Sequence, residues 1–225
     1  MSRFGQYCPV AAALDVLGER WTLLIVRDLL DGPLHFNEMA RGLPRMSRTL
    51  LAKRLQYLEG LGLIERCTLA HGNKTEYALT EAGASVRPVV ESLLVWGATW
   101  AFDQPDPDDL DPLLLMWWMR RRVRAERLPA LRTVVQFGFN GIKESYWLVL
   151  KRSDVSVCLT RPPFDVDLWV TADLAAFFKV WLGRTEFGDA VQDGSIELLG
   201  DPNLERAFPT WFAWSPAASV VRAVA

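Results

Sequence analysis

The chain has 225 residues, which suits one large domain or two small ones and exceeds the size of a peptide hormone or a metal-stapled miniprotein. Half of the residues are hydrophobic and 23% are charged, so the chain can bury a core and is not a disordered tail. The formal net charge of −2 excludes a protein that coats nucleic acid through its overall charge, so any DNA contact must come from a local basic patch.

The residue pattern supports neither a metal site nor a disulfide framework, and neither a membrane span nor an enzyme active site. The three cysteines Cys8, Cys67 and Cys158 are scattered, which argues against a disulfide framework and suits a reducing compartment. Two histidines cannot complete a four-ligand zinc site. There is no apolar signal core, and the longest apolar run, 113–119, is far shorter than the roughly 20 residues that cross a bilayer. We therefore expect a cytoplasmic protein that has no cofactor and no membrane partner. It is not expected to be an enzyme, because no nucleophile–base pair, phosphate loop or supported carboxylate dyad occurs.

A stretch rich in proline and aspartate divides the chain. Residues 103–112 contain three prolines and five aspartates and show neither helical nor strand periodicity. Residues 1–102 carry 11 Lys/Arg against 10 Asp/Glu, a net charge of +1, whereas residues 103–225 carry 14 against 17, a net charge of −3. We predict a first domain at 1–102, a linker at 103–111 and a second domain at 112–225.

The first domain is predicted to be mainly helical, with one hairpin. Helical spacing of apolar residues and the turn signals between them predict four helices, at 10–17, 21–30, 36–41 and about 48–59. Two short strands, at 63–66 and 76–79, flank a Gly-Asn turn and predict a hairpin. A helix-turn-helix followed by such a hairpin is a winged helix.

The fourth predicted helix carries a basic outer face. Ser47 is a good N-cap, and leucines at 51, 55 and 58 recur on one face, which we expect to be buried. Thr49, Lys53 and Gln56 fall on the opposite face. From Arg41 to Lys74 there are seven Lys/Arg and only two acids, so the positive excess of a near-neutral domain lies on this helix and the hairpin. The competing interpretation is an ordinary solvated helix face.

The segment from Met46 to Arg66 resembles the recognition helix, and its exit, of the HxlR-type winged-helix transcriptional regulators. Residues 7–10, 14–29 and 36–39 resemble the opening of that family, and residues 77–83 resemble the strand that returns from the wing. The resemblance spans roughly residues 7–100. It implies a homodimer that binds a pseudo-palindromic operator in double-stranded DNA.

In the family, N- and C-terminal helices of the domain pair across the two-fold axis. The segment 87–102 fits this role through an apolar stripe. The stripe consists of Val90, Leu93, Leu94, Gly97 and Trp100. The alternative is that the stripe packs only on its own domain.

The resemblance also implies roles for single residues. Ser47 caps the recognition helix, and four side chains lie toward the major groove, where they can read base edges: Arg48, Thr49, Lys53 and Gln56. Arg45 and Arg54 are better placed for phosphates. Asn73, Lys74 and His71 belong to the wing tip and are expected to contact the backbone or the minor groove. One sequence does not separate base readers from phosphate contacts.

Cys8 is a candidate thiol sensor, because some HxlR-type regulators use a cysteine at this place. It immediately precedes Pro9 and the first predicted helix, and a helix N-terminus is one setting that lowers a thiol pKa. The alternative is a small buried residue.

The second domain is predicted to be α+β. A helix is expected at 110–127, then strands at 133–139, 145–150, 155–159 and 165–171, with a strong Asn-Gly hairpin signal at 140–141. Asp173 is expected to cap a helix, followed by a shorter helix within 183–191, a strand at 194–201 and a final helix after Pro202. We expect the helices to cover one face of the sheet.

Two segments of the second domain, 165–174 and 193–202, resemble the sterol carrier protein type 2 family. The resemblance covers about residues 112–213 and implies an apolar cavity between sheet and helices. The expected ligand-binding residues are aromatic: Phe137, Phe139, Trp147, Trp169, Phe177, Phe178, Trp181 and Trp211. The alternative is that these rings simply fill the core.

The sequence thus predicts a dimeric, DNA-binding transcriptional regulator, a repressor by family analogy, whose second domain senses an apolar or aromatic small molecule. The alternatives are a small-molecule or lipid-binding protein that uses the winged helix as a dimer scaffold, and a thiol redox sensor acting through Cys8.

Overall fold

The computed structural model describes residues 4–68, 75–102, 104 and 106–224. The chain divides into two compact units, residues 1–93 and 94–225, and the division falls inside one helix. Within the described ranges, no helix is long and apolar enough to cross a membrane.

The first unit contains the predicted helices and hairpin. Its elements are α1 (Pro9–Leu17), α2 (Thr22–Leu29), β1 (Leu34–His35), α3 (Phe36–Gly42), α4 (Arg48–Gly60), β2 (Ile64–Thr68), β3 (Thr75–Leu79), α5 (Glu81–Ala84) and α6 (Arg87–Trp100), the last of which continues into the second unit. The four helices and the hairpin are confirmed. Strand β1 was not predicted, because two residues show no periodicity; it pairs with β3 and completes a sheet of order β1-β3-β2.

The second unit is a five-stranded sheet with helices. Its elements are α7 (Pro112–Arg121), β4 (Thr133–Phe139), β5 (Ser145–Lys151), β6 (Asp154–Cys158), β7 (Leu168–Ala172), α8 (Leu174–Trp181), α9 (Phe187–Gln192), β8 (Ile196–Gly200), α10 (Pro202–Ala207) and α11 (Ala218–Val224). The strand order is β6-β5-β4-β7-β8; β4 and β7 are parallel and the other pairs are antiparallel. The cap of α8 is confirmed, since the Asp173 carboxylate accepts a hydrogen bond from the Ala176 amide at 2.8 Å.

The two faces of this sheet have different surroundings. Alternate residues of every strand point into one core with α7, α8 and the 208–212 segment, as Val135, Phe137 and Phe139 of β4 do. Phe208 lies within this core, with ring centroids 6.1 Å from Phe137 and 5.3 Å from Phe212. On the opposite face, Val134, Trp147 and Val149 form a small cluster that Phe164 and Val166 cover. The helices therefore gather on one face, as an α+β layer fold requires.

The helix predicted at 110–127 is shorter than expected. It begins at Pro112, after the Asp111 cap, and ends at Arg121. Residues 122–124 instead pair with the 211–213 segment, where the Arg124 amide donates to the Trp211 carbonyl at 2.7 Å and the Ala213 amide donates to the Arg122 carbonyl at 2.8 Å. This backbone pairing satisfies groups that a longer helix would have used.

Two other boundaries differ from the prediction. The strand predicted at 165–171 begins only at Leu168; just before it, the Asp167 amide donates to the Val134 carbonyl at 2.9 Å and the Asp167 carboxylate accepts from the Val134 amide at 2.7 Å. The single final helix is instead two helices, because α10 ends before Pro209, which lacks an amide hydrogen, and α11 starts only at Ala218.

The packing of Phe137 predicts a large stability loss when its ring is removed. Phe137 is fully buried between the sheet and the Phe177 and Phe208 rings. Phe137→Ala should lower the free energy of unfolding by about 3–5 kcal/mol in urea denaturation. Leu131→Ala is the matched control, because Leu131 is 82% exposed and should cost almost nothing. A loss below about 1 kcal/mol at Phe137 would contradict a filled core and favour a pocket wall.

Candidate nucleic-acid interface

The local sequence fixes which face of α4 meets solvent. The Ser47 hydroxyl accepts a hydrogen bond from the Leu50 amide at 3.2 Å and so caps the helix start. Three leucines, at 51, 55 and 58, are fully buried. Burial of this face leaves the other one outward, where Arg48, Thr49, Lys53 and Gln56 are all exposed. The four candidate base readers therefore share one exposed surface.

Arg48 is held in place by the preceding helix. Its guanidinium donates a hydrogen bond to the Asn37 side chain and lies 5.0 Å from the centroid of the Phe36 ring. Both partners belong to the first turn of α3, so the start of α4 and the start of α3 position this cation together. A cation held in this way loses less side-chain entropy when it meets an anion.

Arg54 occupies a different environment from its neighbour Lys53. The Arg54 side chain is only 15% exposed, and its Nη2 lies 3.1 Å from Glu19 Oε2. Its guanidinium also lies 5.5 Å from the centroid of the Tyr57 ring. The charge of Arg54 is thus compensated inside the unit, and this arginine joins α4 to the segment before α2 instead of standing free for a phosphate.

The remaining basic residues lie at the two ends of the helix and near the wing. Arg45 is exposed just before the cap, and Lys53 has no ion-pair partner among the described residues. Arg66 on β2 pairs with Glu59 at 3.1 Å and lies over the Tyr77 ring. The regional charge excess seen in the sequence therefore divides into Arg54 and Arg66, which form ion pairs within the unit, and Arg45, Arg48 and Lys53, which are exposed.

The wing is described only at its base. The predicted contacts His71, Asn73 and Lys74 lie outside the described residues. At the base, His35 Nδ1 lies 3.1 Å from the Thr75 carbonyl and Nε2 lies 3.3 Å from Glu76 Oε1. His35 precedes α3, and its amide donates to Glu38 Oε2 at 3.1 Å. This histidine, which sequence reasoning did not single out, links the helix-turn-helix to the wing strand.

The structure separates the eight predicted ligand-binding aromatics. Six of them lie in the single core between sheet and helices: Phe137, Phe139, Phe177, Phe178, Trp181 and Trp211. Trp147 and Trp169 point to the opposite face, so the eight do not line one pocket. The Trp147 indole donates to Gln136 Oε1 at 3.2 Å, while Trp169 is 40% exposed. Cys8, the candidate thiol, is half-buried at the N-cap of α1 and makes no side-chain cap hydrogen bond.

Comparisons with known proteins agree with this architecture. A family model described as HxlR-like helix-turn-helix matches residues 16–105. An uncharacterized HTH-type transcriptional regulator of Methanothermobacter thermautotrophicus is 34% identical over 106 residues, which cover 47% of this chain and 81% of that protein. The HTH-type transcriptional regulator YodB of Bacillus subtilis is 37% identical over 91 residues, covering 40% of this chain and 81% of YodB.

The chain belongs to the HxlR family. Among solved structures, the redox regulator HypR in its reduced form is 34% identical, covers 40% of this chain and 90% of its own, and superposes with a TM-score of 0.38. Membership rests on the sequence matches and concerns the first unit. The protein is accordingly a DNA-binding transcriptional regulator of the HxlR type, and the relatives that it matches are regulators and not enzymes.

The contrast between Lys53 and Arg54 gives a paired prediction for this HxlR-type domain. Lys53→Ala should weaken binding to the protein's own promoter DNA about tenfold and reduce the salt dependence by about one counterion, with unchanged stability. Arg54→Ala should lower the free energy of unfolding by about 1–3 kcal/mol, because it removes a largely buried guanidinium together with its ion pair to Glu19. Fluorescence anisotropy over a salt series and urea denaturation measure the two effects. Undiminished DNA binding by the Lys53 variant would contradict the assignment of the outward face.

Proposed function

We propose that the protein is a homodimeric repressor that binds a pseudo-palindromic double-stranded DNA operator through α4 and the wing, and that releases it when the second unit binds an apolar or aromatic small molecule. The observation that carries the DNA-binding part is the exposed face of α4, with Arg48, Thr49, Lys53 and Gln56 on a capped helix.

These side chains are chemically suited to the major groove. Arginine and lysine donate to guanine O6 and N7, and glutamine pairs with the adenine edge, so Arg48, Lys53 and Gln56 are the proposed base readers. Arg45 stands beside the helix start, where a phosphate would also meet the amides of the first turn. His71, Asn73 and Lys74 remain proposed contacts of the wing tip. Because Arg54 is paired with Glu19, its proposed contribution to phosphate binding is indirect, through the orientation of α4.

Exposed apolar residues on α1 and α6 support the homodimer. No residue of α6 is buried, and four of its five exposed large apolar side chains share one face, which we call the α6 stripe. It carries Val89, Leu93, Trp96 and Trp100, at spacings of four, three and four residues, which is the spacing of a helix-pairing seam. Of the residues predicted for the apolar stripe, Leu93 and Trp100 belong to it, whereas Val90, Leu94 and Gly97 are half-buried. On α1, Val10 and Leu14 are exposed at 65% and 47%. Such apolar surfaces are unfavourable in water and stabilise an assembly when a second copy covers them.

The second unit is the proposed sensor. A sheet with helices on one face is the layer arrangement that the sterol carrier resemblance implies, with the ligand held between the two layers. Trp211 Nε1 is a buried indole donor without a hydrogen-bond partner among the described residues, within the apolar core. A buried donor of this kind favours a bound acceptor atom, because leaving it unpaired costs free energy. A ligand that enters this layer would pair the donor and move the surrounding rings.

In this proposal, ligand binding releases DNA because it changes the distance between the two recognition helices. Two recognition helices must fit half-sites about 34–36 Å apart, and a shift of a few ångströms weakens both contacts together. A ligand that binds the altered arrangement more tightly therefore lowers operator affinity by its own difference in binding free energy.

Operator recognition is tested with the protein's own upstream DNA and a scrambled duplex of equal length. We expect preference for the upstream DNA that persists as salt rises, because base contacts add to phosphate attraction. Fluorescence anisotropy over a salt series measures both duplexes. Equal affinities that vanish together at high salt would favour the alternative, a small-molecule binding protein that uses the winged helix as a dimer scaffold.

The dimer is tested at the α6 stripe. Trp96→Glu places a charge in the middle of the proposed seam and should give the mass of one chain in sedimentation velocity, with operator binding greatly weakened. Leu131→Glu introduces the same charge at another exposed apolar position and should leave mass and binding unchanged. A Trp96→Glu protein that keeps the mass of the wild type would move the proposed seam away from α6.

A second candidate function, thiol sensing, rests on the position of Cys8. The residue is half-buried directly before Pro9 at the start of α1, one of the two proposed pairing helices. Oxidation there would add polar atoms to the proposed dimer surface. If Cys8 is the sensor, Cys8→Ser should bind DNA as the wild type does and keep it after treatment with hydrogen peroxide, which converts a thiol to a sulfenic acid and is reduced to water, whereas Cys158→Ser should still respond. A Cys8→Ser protein that still releases DNA on oxidation would exclude this candidate.

A further inference from the structure

A groove lies on the sheet face that the helices do not cover, near the edge strand β8. It has a volume of about 380 Å³, and its lining residues are Trp169, Thr171, Glu197, Leu198 and Leu199. That volume is within the range of small-molecule sites. The groove is separate from the core between sheet and helices, because Trp169, Thr171, Glu197 and Leu199 alternate along their strands with inward residues such as Val170 and Ile196.

The strand register places an apolar pair beside a polar pair in this groove. Trp169 of β7 is directly opposite Leu199 of β8, and Thr171 is directly opposite Glu197. Trp169 and Leu199 are exposed at 40% and 70%. Residues two apart on a strand are roughly 6.6 Å apart along it, so one small ligand can contact both pairs at once.

A glycine keeps the polar end of the groove open. Gly138 of β4 is paired with Thr171 in the parallel register, while the preceding outward residue, Gln136, is paired with Trp169. A Cβ atom built at Gly138 would meet nothing within 4 Å. The sheet surface beside Thr171 is therefore bare, and a ligand can lie flat against it.

The charge of the groove favours cationic ligands over anionic ones. The Glu197 carboxylate is exposed and has no ion pair or hydrogen bond among the described residues, and the chain from residue 103 onward has a net charge of −3. A half-exposed indole face attracts organic cations through its quadrupole, and a nearby carboxylate adds Coulomb attraction. An anionic ligand would meet repulsion from the same carboxylate.

We propose that this groove is a binding site for a small amphipathic organic cation, whose ammonium group lies between Glu197 and the Trp169 ring and whose apolar body covers Leu199. The site does not depend on the interior ligand proposed above. Glu197 supplies the charge, Thr171 a hydroxyl oxygen for an N–H of the head group, and Trp169 the aromatic face.

The test uses benzylammonium as the probe, because its head group has N–H donors, and isothermal titration calorimetry on the full chain. We expect saturable binding in the millimolar range that weakens as salt rises, and at least about tenfold weaker binding of the neutral N-benzylacetamide and the anionic phenylacetate. Glu197→Gln and Trp169→Leu should each weaken probe binding about three- to tenfold. Glu126→Gln removes the same charge at an exposed position on a different element and should have no effect.

A second variant keeps the test decisive if the Trp169→Leu protein fails to fold. Gly138→Leu removes no contact and fills the bare surface, so it should abolish probe binding and leave the circular dichroism unchanged. Equal binding of phenylacetate, or an unchanged affinity in both Glu197→Gln and Gly138→Leu, would overturn the proposal. If the groove instead holds a second copy of the chain, the probe will not bind and Leu199→Asp will lower the mass in sedimentation. DNA binding is measured on the same samples. Loss of probe binding with DNA binding retained concerns this groove alone, whereas loss of DNA binding concerns the proposed regulator.

Discussion

The burial of one face of α4 is the constraint on which the rest of the first unit depends. Leu51, Leu55 and Leu58 are fully removed from water, and each contributes roughly 1.5–3 kcal/mol of hydrophobic stabilisation. With that face fixed, rotation of the helix about its axis would expose leucine and bury charge. The outward direction of Lys53 and Gln56 is therefore set by the core and not by any contact of their own. The orientation of the proposed base-reading side chains is therefore a consequence of packing within the unit.

In the second unit, packing of a core likewise determines which side chains face outward, here along the strands of a sheet. Strand alternation sends one set of side chains into an aromatic core and the other set to the opposite face, where the 164–166 segment covers only part of the surface. Phe208 shows how tightly the inner side is filled, with four ring neighbours between 5.3 and 6.1 Å. Among the described residues, the outer side has no comparable set of ring contacts; Trp147 packs there with Val134, Val149 and Phe164. The same alternation that builds a rigid core thus leaves a tryptophan and a leucine half in water at the edge.

Local signals made much of the fold predictable, and distant partners account for the errors. The start of α4 follows from Ser47 and the leucine spacing, and the start of α8 follows from Asp173, since each cap acts within four residues. The end of α7 depends instead on pairing with the 211–213 segment, about 90 residues later. The sequence does not show that Arg54 forms an ion pair and that its neighbour Lys53 does not, because the partner of Arg54, Glu19, is 35 residues away.

The site in the second unit was harder to predict because its strands are apolar on both faces. In β5, Tyr146, Leu148 and Leu150 point to the core, yet Trp147 and Val149 between them are also buried. Hydrophobic periodicity then gives no preferred face, and only the register shows that Trp147 and Trp169 lie away from the helices. The sequence prediction therefore assigns all eight aromatics to one pocket, whereas strand alternation places Trp147 and Trp169 on the face opposite Phe137 and Phe139.

Charge compensation distinguishes structural from functional residues in both units. Arg54, Arg66 and Arg222 each have a carboxylate within 3.1 Å; of these three pairs, the largely buried one at Arg54 is expected to matter most for stability, because the other two are exposed. Lys53 and Glu197 are exposed, and among the described residues neither has an ion-pair partner. An isolated surface charge contributes little to stability, so a position that carries one on an otherwise defined surface is free to serve binding. Lys53 stands on a basic face of opposite sign to DNA, and Glu197 stands beside a half-exposed indole. The two positions therefore favour partners of opposite charge, an anionic polymer for the first unit and a small cation for the second.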